Sequence, residues 1–248
     1  MISVVIPIYN GIEFINESVS SVLNQTYDKW ELLIGVNGHP QDSEVYKKAK
    51  QYENEKISVF DFYDIKGKSN TLNFMMQICN FNYVAILDVD DIWHPQKLEL
   101  QSQALNDFDV VGSQCVYFGE RLNGITPNIP FGNISHIDFS LVNPLINSSC
   151  IIKKELCYWN GKWDGVEDYD IWLRLRKNNT KFYNFKEILV RHRIHNQSAF
   201  NAKGNDNKVD KLLSSHGFKN RKENNVDSTK LNMPNQINKI NKINMKLI

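Results

Sequence analysis

The chain has 248 residues, enough to bury one large α/β core, or one domain with a tail, without cross-links. Its 29 lysines and arginines nearly balance 28 aspartates and glutamates, which leaves no basic footprint for nucleic acid. No apolar run approaches the ~18 residues of a membrane span, so no transmembrane segment is expected and the chemistry must lie in local groups of residues.

The four cysteines (Cys79, Cys115, Cys150, Cys157) have neither C-x-x-C pairing nor metal-finger spacing. They read as reduced, mostly buried thiols of an intracellular protein. Residues 1–7 carry no charged leader and only a short apolar run, so no export signal is expected. The expected setting is cytoplasmic, soluble or peripheral to a membrane.

In chain order, residues 2–8 are β-branched and almost wholly apolar, the texture of a strand covered on both faces of a parallel sheet. Asn10-Gly11 ends it, and Ile12, Ile15, Val19, Val22 and Leu23 then recur at helical spacing. A second buried strand at 30–36 closes on Asn37-Gly38, and a polar helix follows over 43–53, with Asp42 or Ser43 as N-cap. The third strand is 57–62, followed by a turn at Lys66-Gly67-Lys68 and a helix over 69–79. The fourth, 83–87, runs straight into Asp88-Val89-Asp90-Asp91. This alternation predicts βαβ units in a mostly parallel, doubly wound sheet flanked by helices, with ligands beyond the carboxyl ends of the strands. A helix at 95–105, a strand at 109–118, an apolar stretch at 148–152 and a helix at 168–177 follow. Beyond residue 200 Asn, Lys and Ser dominate, so the division expected is a domain over 1–200 and a disordered or loosely packed tail over 201–248. Its Asn-Lys-Ile repeats could form at most a weak amphipathic helix around Ile237, Ile240 and Ile243.

Three groups carry chemistry. Asp88, Asp90 and Asp91 at the end of a buried strand repel one another unless a cation intervenes, and oxygen ligands select Mg²⁺ or Mn²⁺. Asp88 and Asp90 point the same way off an extended backbone, whereas Asp91 points oppositely and suits a cap of the turn before Trp93. A solvated acidic turn is the alternative. Glu167, Asp168 and Asp170 stand at the start of an amphipathic helix; capping explains one of them, and a carboxylate there suits a general base. Arg191-His192-Arg193-Ile194-His195 alone reads as an exposed basic edge strand. Folded back onto the acids, one histidine would complete a metal shell and an arginine would face a diphosphate. Gly67-Lys68 before a helix is a weak phosphate signal, without the glycines of a Walker motif.

In this order the segments resemble the family 2 glycosyltransferases, inverting enzymes with the GT-A fold, a Rossmann-like central sheet flanked by helices. Residues 3–10 (SVVIPIYN), 18–27 (SVSSVLNQTY), 30–34 (WELLI), 67–73 (GKSNTLN), 87–95 (LDVDDIWHP) and 167–174 (EDYDIWLR) carry the resemblance, which covers about residues 2–198. The resemblance implies that Pro7, Tyr9 and Asn10, with Glu13 close by, line the nucleotide-base pocket, and that Lys68 approaches the phosphates. It assigns Asp88 to the ribose or the metal, Asp90 to the metal as main ligand, and His195 to the metal site. Asp168 would be the catalytic base and Glu167 the second candidate. The implied cofactor is Mn²⁺ or Mg²⁺. The implied partners are a nucleotide-sugar donor, UDP-linked, and a glycan, lipid-linked or protein acceptor, with a homodimer admitted as the assembly. One departure stands out: Val36-Asn37 occupies the place of an acidic pair, so Asn37 would meet the base edge without charge. A nucleotidyltransferase and a non-catalytic binding module with a decayed site remain the alternatives.

Overall fold

The computed structural model describes residues 1–196 and 205–218. Strands β1 (Ile2–Ile8), β2 (Trp30–Asn37), β3 (Ile57–Phe62) and β4 (Tyr83–Ile86) alternate with helices α1 (Ile15–Leu23), α2 (Glu44–Lys50) and α3 (Lys68–Ile78). All four strands run parallel in the order β3-β2-β1-β4. The sheet continues through β8 (Ile151–Lys153), β6 (Val110–Gly119), β9 (Phe182–Ile194) and β5 (Ile92–Trp93), with β7 (Gly132–Asn133) paired to β9. This second half is mixed: β8 is antiparallel to both β4 and β6, and β6 and β9 are parallel. The remaining helices are α4 (Lys97–Ser102), α5 (Glu167–Lys177) and α6 (Asn205–Ser215).

The continuous apolar strands are explained by cover on both faces. Ile2, Val4, Ile6 and Ile8 of β1 pack with Ile15, Val19 and Val22 of α1 in one cluster. Val5, on the other side of the pleat, joins Leu72, Met75 and Met76 of α3 in a second. Each fully buried aliphatic side chain contributes roughly 1.5–3 kcal/mol. Ser43 caps α2 by accepting the Tyr46 N–H at 3.2 Å, while Asp42 takes a left-handed φ of 54° and does not cap. All four thiols are unpaired, and burial pushes those of Cys79 and Cys150 up to about 11 and about 12.

Two features depart from the expectations. Residues 191–194 belong not to an edge but to the long strand β9, which lies between β6 and β5, and His195 follows directly on it. And α6 falls inside the stretch expected to be loose from residue 201, yet it is docked. Leu212 and Leu213 are fully buried in the α3–α5 cluster, and His216 Nε2 meets Asp170 Oδ1 at 3.0 Å. Leu212 and Leu213, with Val209 packed beside them, seat a helix that is otherwise polar, a signal that composition averages away. The Asn-Lys-Ile repeats lie outside the described residues.

Lys97 is fully buried under the sheet. Its Nζ lies 2.7 Å from Gln101 Oε1 and 4.0 Å from the centroid of the Trp93 ring. Burial lowers its amine to about 7. Between that value and the ordinary lysine pKa of about 10.4 the unfolded chain binds more protons, so this group adds stability as pH rises through that window. Lys97→Met should remove the rise. Urea midpoints at pH 7 and pH 9.5 should therefore diverge less in the variant than in the parent. Leu213→Ala should cost about 2–5 kcal/mol, by loss of transfer energy and a residual cavity. An unchanged thermal midpoint would show that α6 is not part of the core.

Candidate active site

In the parallel half, β1 leads to β2 on one side and lies beside β4 on the other, so the strand order reverses at their carboxyl ends. Loops diverge there and leave a crevice. Gly11, at φ 87°, turns the chain where a side chain would press on Val89 Cγ1 at 3.0 Å. The resulting cleft, of about 910 Å³, is lined at one end by Pro7, Tyr9, Asn10, Asn37 and Gly38, and at the other by Asn143, Glu167 and Asp168. Lys68, Asp88, Asp90, His192, Arg193 and His195 also line it. The Tyr9 ring lies 5.3 Å from that of His39, whose Nε2 approaches the Tyr9 carbonyl oxygen at 2.5 Å. Of the two departures in β2, Val36 is fully buried in the core and Asn37 alone lines the cleft.

Asp88-Val89-Asp90-Asp91 forms a turn closed by the Asp91 N–H donating to the Asp88 carbonyl at 3.0 Å. Its three carboxylates have separate partners. Asp88 Oδ1 is 2.6 Å from Lys68 Nζ, and Asn147 Nδ2 is 3.2 Å from Asp88 Oδ2. Burial works against the Asp88 charge, yet Lys68 holds this carboxyl below its usual range. Burial likewise opposes the Lys68 charge, and Asp88 and Glu167 outweigh it and hold the ammonium above the usual range. Asp90 Oδ2 meets His195 Nε2 at 3.1 Å. Burial first, and then the charges of Asp91 and Asp88, push Asp90 up to about 6.

Asp91 is fully buried and does not cap the turn before Trp93. It accepts from the Arg193 N–H at 2.8 Å and pairs with His192 Nδ1 at 2.9 Å. Burial disfavours the imidazolium, but Asp91 overrides it and raises His192 to about 9. Arg193 Nε donates to the Asp90 carbonyl at 2.8 Å, and its guanidinium lies between the rings of Phe14 and Phe118. The basic strand thus folds back onto the acids.

At the start of α5 the two acids differ. Glu167 is buried, its Oε2 accepting the Gly165 N–H at 2.6 Å and its Oε1 lying 3.4 Å from Lys68 Nζ. Asp168 is half-buried, bonded to the Tyr169 N–H at 2.7 Å and to Asn143 Nδ2 at 3.3 Å. Burial, reinforced by the Glu167 charge, pushes Asp168 up to about 6. A carboxylate poised there suits proton abstraction near neutral pH, whereas Glu167 is committed to its own turn and to Lys68.

The structure therefore gathers Pro7, Tyr9, Asn10, Asn37, Lys68, Asp88, Asp90, Glu167, Asp168 and His195 around one cleft. Glu13 is exposed in the turn before α1 and does not line it. The expected metal set of Asp88, Asp90 and His195 is divided, because Lys68 occupies Asp88. Among the described residues no group of three His, Cys, Asp or Glu side chains is gathered for a metal. Asp90 and His195 remain as a carboxylate–imidazole pair. With the Asp90 charge only partly offset by His195 and His192, the pair fits a divalent cation that would take its other ligands from water and substrate phosphates. Asn143 and Asn147 were missed, because single asparagines carry no periodic signal in an Asn-rich chain.

Residues 3–193 match the family described as Glycosyl transferase family 2. The chain is 30% identical to an Escherichia coli O-antigen biosynthesis glycosyltransferase, WbnJ, over 80% of this chain and 81% of that one. It is 27% identical to the E. coli UDP-Glc:alpha-D-GlcNAc-diphosphoundecaprenol beta-1,3-glucosyltransferase WfgD, over 72% and 71%. In fold it resembles the Pyrobaculum calidifontis mannosyltransferase PcManGT in complex with GDP-Man and Mn²⁺, with a TM-score of 0.62 at 15% identity, covering 87% of this chain and 62% of that one.

Asp91→Ala should be strongly destabilising, by about 3–5 kcal/mol, because it leaves the His192 cation in the interior without its partner. The penalty should shrink above pH about 9, where His192 is neutral even in the parent. Equal unfolding midpoints for parent and variant at pH 7 would show that the pair does not bear on stability.

Proposed function

The chain belongs to glycosyl transferase family 2, and from that premise we propose that it transfers a hexose from a nucleoside-diphosphate donor, UDP-linked, to a hydroxyl acceptor with inversion at the anomeric carbon. The observation that carries this reading is Asp168: a half-buried carboxylate, raised to about 6, faces the same cleft as Lys68, Asp90 and His195. Tyr9 and Asn37 receive the base, Asn37 offering both a donor and an acceptor to a uracil edge. Lys68 is aimed at the diphosphate, whose negative charge grows as the anomeric bond breaks. Asp168 accepts the proton of the attacking hydroxyl, and Asn143 keeps its carboxylate turned into the cleft.

Asp90 and His195 would hold Mn²⁺ or Mg²⁺, which supplies charge neutralisation at the leaving diphosphate. The names of the two E. coli relatives favour a glycan or lipid-linked acceptor over a protein. Among the described residues no helix is long and apolar enough to cross a membrane; with four unpaired thiols, this is consistent with action in the cytoplasm. A nucleotidyltransferase would use a Gly- and Arg/Lys-rich loop after the first strand, and residues 8–13 do not supply one.

The test is transfer, and donor hydrolysis, from UDP-hexoses with Mn²⁺. Asp168→Asn should lower kcat by about 10²–10⁴-fold while the Kd for UDP stays within a few-fold. Glu167→Gln should spare kcat more than Asp168→Asn does. The parent rate should fall as pH drops below about 6, where Asp168 becomes protonated. If Asp168→Asn retains parental turnover, another group is the base; if both variants and the parent only bind UDP, the chain is a binding module.

A further inference from the structure

Two helix N-termini abut beneath the cleft, and one carboxylate joins them. α3 starts behind Gly67, a residue at φ 87° with no side chain to cap the helix. The cap comes instead from 95 residues further on: Asp164 Oδ1 accepts the Ser69 N–H at 3.0 Å and also the Ser69 hydroxyl. The other oxygen, Oδ2, lies so close to Gly67 that an added Cβ would collide with it. Glycine is thus required at 67 both for its backbone angle and for the carboxylate seated on it. The first turn of α3, where the sequence suggested a phosphate would sit, is already occupied by an anion of the protein itself.

Asp164 lies in the turn that enters α5, and the contacts close into a ring. Gly165 N–H donates to Glu167 Oε2 at 2.6 Å, and Glu167 Oε1 lies 3.4 Å from Nζ of Lys68, the first residue of α3. The Asn73 amide pairs with the Trp159 backbone in both directions, at 2.7 and 2.9 Å, adding a second stitch between α3 and this loop. Lys208 of α6 donates to the Asp164 carbonyl at 2.9 Å.

We propose that Asp164 is a positioning residue for the transfer reaction. By capping α3 it fixes the first turn from which Lys68 projects, and through Gly165 and Glu167 it sets that turn against the start of α5, where Asp168 stands. The uncapped first turn of a helix has free N–H groups and frays readily. Lys68 carries a flexible four-carbon stem, so its ammonium keeps its place only if its Cα does. Misplacing a reacting or stabilising group by ~1 Å is enough to cost about 10²-fold in rate. The donor-binding consequence rests on the function proposed above; the coupling of Asp164 to Lys68 does not.

The experiment uses the full chain, with Asp164→Ala, Asp164→Asn, Lys68→Ala and the Asp164→Ala/Lys68→Ala double variant. The first readout is the acylation rate of the Lys68 amine by an amine-reactive ester, followed by peptide mass spectrometry. Release from Asp88 and Glu167 should speed it about five-fold or more in Asp164→Ala. It should change less than about two-fold in Asp164→Asn, whose amide oxygen still accepts from Ser69. The second readout is the Kd for UDP with Mn²⁺. Asp164→Ala and Lys68→Ala should each weaken binding about ten-fold, and the double variant should be no weaker than about two-fold beyond Lys68→Ala, since the two act as one unit.

A parental Lys68 acylation rate in folded Asp164→Ala would overturn the proposal. So would multiplication of the two losses in the double variant. If the parent itself binds no UDP, the donor reading falls, while the acylation rates still decide the brace. Should Asp164→Ala not fold, Ser69→Ala removes the hydroxyl bond alone. A two-fold rise in Lys68 acylation there supports the brace, and no rise overturns it.

Discussion

The buried carboxylate of Asp91 is the joint on which the cleft depends. It sits at the end of the turn leaving β4 and takes the backbone N–H of Arg193 and the imidazole of His192 from β9. These residues are about a hundred positions apart in the chain, and they fasten the parallel half of the sheet to the mixed half. With that joint made, His195 is brought to Asp90 and the Arg193 side chain to the Asp90 carbonyl. An unpaired carboxylate at that depth would be prohibitively costly, so the fold must supply its two donors together.

The rest of the site follows from how negative charge is distributed around that joint. Asp88 is neutralised by Lys68, and Asp91 by His192, whereas Asp90 and Asp168 hold their protons to a higher pH because burial and neighbouring acids oppose their charge. The two compensated carboxylates hold structure. The two under-compensated ones are the places where a cation or a proton is most favoured, and they face the cleft. Perturbed acids of this kind cluster where chemistry is done.

The loop before α5 shows the same economy. Within Trp163-Asp164-Gly165-Val166-Glu167-Asp168, one acid caps a distant helix, one closes its own turn and reaches Lys68, and one is left for the cleft. A run of acids that looks redundant along the chain is divided among three partners in space. α6 then rests on this region, with Leu212 and Leu213 in the core and Lys208 on the Asp164 carbonyl.

Much of this was legible without coordinates. The strands over 2–8 and 30–36 declare themselves because a strand covered on both faces must be apolar along almost its whole length, and the acids after β4 stand out against it. Membership of the family was legible from the resemblance of six short segments in order. The length and interior place of β9, the docking of α6 and the contributions of Asn143, Asn147 and Asp164 were not, since nothing near them in the chain distinguishes them from polar surface residues. By itself the sequence determined which segments are buried and which carboxylates stand at strand and helix ends, because periodicity and capping are local. Only the tertiary structure decided which acid meets Lys68, which meets a histidine and which remains free for chemistry, because charge pairing depends on distances between residues that the chain keeps far apart.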